Sequence, residues 1–351
     1  MMTNAPASLD PTDVIDTQAL DTLSRHLGDI LNIAIEHNPH QQALLVYDTQ
    51  CELARALAAS YRRCLPAARF IDFDAVTPAA VHAEFAQLQA GDLVVLVQST
   101  NFRLEAFRIR VELFKRGLKV IEHVHLSRMP GTQALDYIAS LAYDPQYYRG
   151  VGLALKQRID RAQHGMLDSG GEQLVFGSPF ESAKLNVGDY REMHNVGGQF
   201  PIGEVFTEAR DLEAVNGRVR IFVFGDTTFR ANRPPQPITL VIEQGRVTAA
   251  LDSTAEFDRV LAQIRADEGE VWLRELGFGM NRAFTRERMV SDIGTYERMC
   301  GIHLSLGAKH GIYAKPLIKR KDAKYHVDVF AVTEAVMLDH ENVYRDGNWV
   351  V

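Results

Sequence analysis

Cysteine is scarce in this chain: Cys51, Cys64 and Cys300 are the only three in 351 residues, and none sits in a C-x-x-C or zinc-finger spacing. Their number and spacing exclude a disulfide scaffold and a cysteine-bound zinc module, and an odd, low count suits a reducing cytoplasm. Long apolar runs are missing too, none reaching the roughly 18 residues that a membrane span needs. The first ten residues, Met-Met-Thr-Asn-Ala-Pro-Ala-Ser-Leu-Asp, show neither a basic nor an apolar signal region, so a cytoplasmic protein is expected. Positive charge is in deficit: 38 Lys and Arg stand against 45 Asp and Glu, for a formal net charge of -7. No basic surface dominates, which argues against nucleic acid and membrane as partners. The exception is local, where Lys315, Lys319, Arg320, Lys321 and Lys324 crowd one loop.

What is present is patterned. Residues 1–12 are expected to be an unstructured lead-in, followed by one amphipathic helix from Asp13 to His37, stopped by Asn38-Pro39. An alternation then predicts strands over 43–47, 69–73, 92–97 and 119–124, with helices over 50–64, 78–88 and 102–117. Near-continuous apolar strands alternating with amphipathic helices indicate a doubly wound α/β unit with a parallel sheet. Such a sheet commonly binds ligands at its carboxyl edge. Neither G-x-G-x-x-G nor a Walker loop follows these strands, so the domain is expected to be a scaffold. His123 and His125 share a strand face but lack an acidic cluster nearby.

Helices are predicted over 133–141 and 147–163, and a Gly-Gly linker over 164–171. Beyond it short alternating strands take over, with a tight hairpin at Glu243-Gln244-Gly245 and a helix over 257–266. The expectation is therefore two domains, 1–168 Rossmann-like α/β and 169–351 antiparallel α+β.

The second domain carries the chemistry. In an extended strand, His326 and Asp328 project from one face while Tyr325, Val327 and Val329 pack behind them. An imidazole and a carboxylate so placed can anchor a divalent cation. Three more strand-like stretches each hold an ionisable residue among apolar neighbours: Glu204, Glu275 and His303. Glu275 shares its face with Val271 and Leu273, where an unpaired carboxylate would cost several kcal/mol, so a cation or an arginine must neutralise it. Together the five side chains suffice for a two-metal site.

Four motifs in order, Gly-Gly-Gln-Phe-Pro-Ile-Gly-Glu-Val-Phe-Thr (197–207), Glu-Leu-Gly-Phe-Gly-Met-Asn (275–281), His-Leu-Ser-Leu-Gly (303–307) and His-Val-Asp-Val-Phe (326–330), resemble the thermophilic metallo-aminopeptidase family, whose type member is aminopeptidase T. The likeness spans the C-terminal half. It implies that Glu204, Glu275, His303, His326 and Asp328 bind two divalent metals, Zn, Co or Mn, in a homodimer that acts on a small peptide. Many members carry a Tyr seven residues after the first His; this chain has His310 there and Tyr313 three further on. The 2,5-dihydroxypyridine dioxygenases are similar in C-terminal layout and hold one Fe(II) through two His and one Asp.

Three readings follow. The first is a metallo-aminopeptidase-like hydrolase, with Glu204 or Glu275 bridging or shuttling a proton and His310 or Tyr313 donating to an oxyanion. The second is an Fe(II)-dependent dioxygenase of a small aromatic or amino-acid-derived substrate. The third is a metal-binding protein without turnover. Arg282 and the Lys315–Lys321 cluster are candidates for holding a substrate carboxylate.

Overall fold

The Asp16 carboxylate accepts from the Ala19 amide at 2.8 Å and so starts the first helix, Thr17–Asp29. The computed structural model describes residues 14–104 and 108–351, so the expected lead-in at 1–12 and the start of the helix expected from Asp13 lie outside them. The helix runs into a π-turn, Ile30–Ala34, and the chain turns at Glu36 with a left-handed φ of 49°. The structure divides into two units, 1–145 with 188–202 and 146–187 with 203–351. Among the described residues no helix is long and apolar enough to cross a membrane.

The first unit holds a parallel sheet of β1 (Ala43–Tyr47), β2 (Arg69–Asp72), β3 (Leu93–Val97) and β4 (Lys119–His123), in the order β2-β1-β3-β4. Gly197–Gln199 adds a short fifth strand, parallel to β4. All five residues of β3 are buried, as a strand covered on both faces requires. One expected helix is shortened: 102–117 survives as Ile109–Lys115. The Gln98 side chain accepts the Phe102 amide at 2.8 Å, which keeps the segment before it in a loop; residues 105–107 are outside those described.

At the carboxyl ends of β1 and β3, Asp48 accepts the Ser99 amide (2.8 Å) and the Ser99 hydroxyl. His123 is fully buried with its ring nitrogens 2.8 and 2.7 Å from the hydroxyls of Tyr61 and Tyr137. It is a satisfied core residue, and His125 lies past the strand in a left-handed conformation, so the two do not act as one pair of ligands.

In the second unit, strands from 165 to 349 form a 14-stranded sheet whose pairings are antiparallel. The expected linker at 164–171 is a hairpin instead. Gly170 and Gly171 both take positive φ (65° and 87°), the requirement of a two-residue turn, and pair Gly165–Ser169 with Glu172–Phe176. A cut at 168 therefore falls inside one sheet, and the helix Pro145–Arg161 belongs to the second unit from Gln146 on. The hairpin at Gln244-Gly245 forms as expected, with φ of 49° and 73°.

Candidate metal centre

The four motif strands are neighbours in the large sheet, in the order Val327–Ala331, Gly301–Leu306, Leu273–Gly279, Glu204–Glu208. Asp328 faces Ser305 across one ladder, His303 faces Gly277 across the next, and Gly279 faces Glu204 across the third. Two local devices aim the side chains. Leu273 pairs with Leu306 and Leu276 with Leu304, so three steps on one strand match two on the other. That bulge at Arg274-Glu275 breaks the simple alternation of 271, 273 and 275, and re-aims Glu275. Its amide donates to the Ser305 hydroxyl at 3.0 Å. The second device is Gly277, where a Cβ would overlap the His303 imidazole.

Glu204, Glu275 and His303, all buried, offer one donor atom each within 4.8 Å of one another. His303 Nε2 lies 3.3 Å from Glu204 Oε1 and 3.4 Å from Glu275 Oε1. The other Glu275 oxygen, Oε2, is 2.8 Å from His310 Nε2. His326 Nε2 is 3.1 Å from Asp328 Oδ1.

Tautomers separate the histidines. Nδ1 of His326 faces the Lys309 carbonyl at 3.2 Å, an acceptor only, so Nδ1 carries a proton and donates there, and Nε2 faces the Asp328 carboxylate. Among the described residues the buried Asp328 Oδ1 has no partner besides that ring. A carbonyl-backed imidazole beside a carboxylate is an arrangement that a cation can use once the proton between them has left. In His310 the polarity is reversed: Nδ1 accepts from the amides of Ile312 (3.1 Å) and Tyr313 (3.2 Å), which leaves the proton on Nε2. That Nε2–H points to the 2.8 Å contact with Glu275 Oε2.

Without a cation, protons and an arginine balance the acids. Burial opposes charge on Glu275, but hydrogen bonds from His303 and His310 and the charges of His326 and His303 hold its carboxyl far below the usual range. Burial likewise opposes charge on His303, yet the carboxylates of Glu204 and Glu275 lift its pKa well above the ordinary 6.5. His326, against the same opposition, is raised to about 10 by Asp328. Burial pushes Glu297 up to about 8.

Of the five expected ligands, Glu204, Glu275 and His303 share one cluster, while His326 and Asp328 stand as a contact pair in the same unit. The arginine expected as the bland partner of Glu275 attaches to Glu204 instead: buried Arg298 lies 3.1 Å from Glu204 Oε2 and bonds Glu297. These two residues carry no motif, and sequence reasoning missed them. Tyr313 contributes its backbone, since its hydroxyl donates to the Ser182 carbonyl at 2.7 Å. Lys315 does not await a substrate carboxylate. Its buried ammonium contacts Glu181 (2.6 Å), Glu208 (3.2 Å) and the carbonyls of Ala209 and Arg210. Arg282 stacks over the Tyr147 ring at 3.6 Å.

No family model and no curated protein sequence matches the chain. Among solved structures it is similar to a 2,5-dihydroxypyridine dioxygenase from Pseudomonas putida KT2440, with a TM-score of 0.62, 15% identity, and 95% of this chain and 98% of that one covered. It is also similar to wild-type AmpT from Thermus thermophilus, with a TM-score of 0.57, 13% identity, and 94% and 99% covered. At these identities what the chain shares with both is the fold, an α/β parallel-sheet unit combined with an antiparallel unit.

Proposed function

We propose that this chain is a metal-dependent hydrolase of the aminopeptidase type, acting on the N-terminal bond of a small peptide or a related amide. The observation that carries the reading is the buried Glu204–Glu275–His303 group beside the His326–Asp328 pair: three carboxylates and two imidazoles, richer in acid than a two-His-one-carboxylate iron site. The donor set fits divalent cations, because Asp328 and the carbonyl-backed His326 turn to each other, and a cation that displaces the proton between them finds a carboxylate oxygen and an imidazole nitrogen side by side.

When bound, a pair of such cations polarises a carbonyl and acidifies water. The protein's own groups do the rest. Glu204, clamped on one oxygen by Arg298, offers the other to the site. Glu275 sets its two oxygens towards different imidazoles, as a bridging or proton-holding carboxylate needs. The Nε2–H of His310 is the donor for the oxyanion that develops on the carbonyl, the role a tyrosine would otherwise take.

A second reading, an Fe(II)-dependent dioxygenase, is favoured by the fold shared with the dihydroxypyridine enzyme and by the availability of His303, His326 and Asp328. Metal analysis of protein purified without added metal, with parallel assays, separates the two. Two zinc, cobalt or manganese atoms per chain and oxygen-independent release of an N-terminal residue support the hydrolase. One iron with oxygen uptake replaces it by the dioxygenase, and bound metal without turnover in either assay overturns both.

A further inference from the structure

Behind the carboxylates of the centre lies a second buried set of charges that the chemistry above does not use. Arg274, next in the chain to Glu275, is 2% exposed. Its Nε and Nη2 donate to the two oxygens of Glu208 at 2.7 and 3.1 Å, a bidentate pair. Glu208 is fully buried and stands opposite Glu275 in the ladder. The same guanidinium reaches two backbone carbonyls of the following loop, Ala308 through Nη1 and Tyr313 through Nη2 (3.0 Å). Lys315 closes the loop from its other end, on Glu181, Glu208 and the carbonyls of Ala209 and Arg210.

Taking such ions out of water costs several kcal/mol each, and apolar replacements of buried ion pairs are often neutral or stabilising. Stability alone does not account for the network. What it does fix is the path of residues 308–315, and that segment carries His310. The amides of Ile312 and Tyr313 that set the His310 tautomer belong to the stretch that Arg274 grips at both ends.

We propose that Arg274, Glu208 and Lys315 are positioning residues. They hold the 308–315 loop so that His310 keeps one tautomer and presents its Nε2–H beside Glu275. The proposal rests on the reading of His310 as proton donor, but its test needs no substrate. In 15N-labelled full-length protein, His310 should show the single Nε2–H tautomer. In Lys315→Met the signal should average between tautomers, and the Ile312 and Tyr313 amides should exchange about 10- to 100-fold faster. Metal content should stay unchanged, since no ligand is altered. Where turnover is measurable, kcat should fall about 10- to 100-fold with KM held within twofold. If Lys315→Met does not fold, Glu208→Gln, which keeps the volume and removes one charge, carries the same measurements. A wild-type His310 that populates both tautomers, or a folded variant with wild-type spectrum and exchange, overturns the proposal. A wild type with one tautomer but no hydrolase activity overturns the proposed function and leaves the loop-positioning claim supported.

Discussion

Single residues decide whether the centre can assemble. Gly277 has no side chain because His303 occupies the space across the ladder. Gly277→Ala must push the imidazole or the backbone aside, so we expect a loss of about 2–3 kcal/mol in stability together with weaker cation binding. Thermal unfolding and metal titration of the variant check this; a normal metal affinity would show that His303 is not held by that contact. Asp328→Asn tests the ligand set itself. The amide keeps the shape but offers one neutral oxygen beside His326, and removal of outer partners alone costs 10- to roughly 100-fold in metal affinity. A larger loss is expected here, measured by competition with a chelating dye. His303 and Asp328 were legible in the sequence because each is an ionisable group in an apolar strand, whereas the role of Gly277 was not, because it depends on what stands across the ladder. Arg298 and Glu297 were not, because their roles arise from an irregular stretch that folds back over Glu204 and leaves no periodic trace.

At the scale of elements, the strands were easier to read than their joints. The apolar runs of β1, β3 and β4 are dictated by burial on both faces, and residue type alone reveals them. The bulge at Arg274-Glu275 depends on register with a strand some thirty residues away, and the shortened helix at 102–117 on a side-chain bond from Gln98. Neither leaves a local signal. The Gly170-Gly171 turn does, yet two glycines read equally well as a hinge. The end of β4 carries a testable consequence. His123 accepts from the Tyr61 hydroxyl and donates to Tyr137, which in turn donates to the Phe200 carbonyl at 3.2 Å. Burial lowers its pKa to about 3. The folded unit therefore binds this proton more weakly than the unfolded chain does, so its contribution is complete above the unfolded pKa near 6.5 and is lost as pH falls towards 3. Between pH 7 and 4 the wild type should lose roughly 3 kcal/mol more than His123→Gln, which cannot titrate. Urea unfolding at the two pH values measures it, and equal losses would mean that the ring is not kept neutral by the fold.

For the molecule as a whole, four motifs spread from residue 204 to residue 328 become adjacent strands of one sheet, so the candidate metal centre and the core of the second unit are the same structure. The order of those motifs was readable; their adjacency follows from antiparallel pairing, which only the fold supplies. Binding there should be felt as stability, because a cation that binds only the folded state adds RT ln(1 + [L]/Kd), about 2.7 kcal/mol at a hundredfold excess over Kd. Each unit has its own core, Leu44, Val94 and Val120 in the first and Val219, Phe278 and Phe330 in the second. Chelation should therefore lower one transition and spare the other. Scanning calorimetry with metal and with a chelator should show the second unit's transition fall by roughly 5–10 °C. The first unit's transition, identified by its response to His123→Gln, should stay in place. A shift of the first unit's transition, or of neither, would separate the gathered carboxylates from any cation that binds the fold.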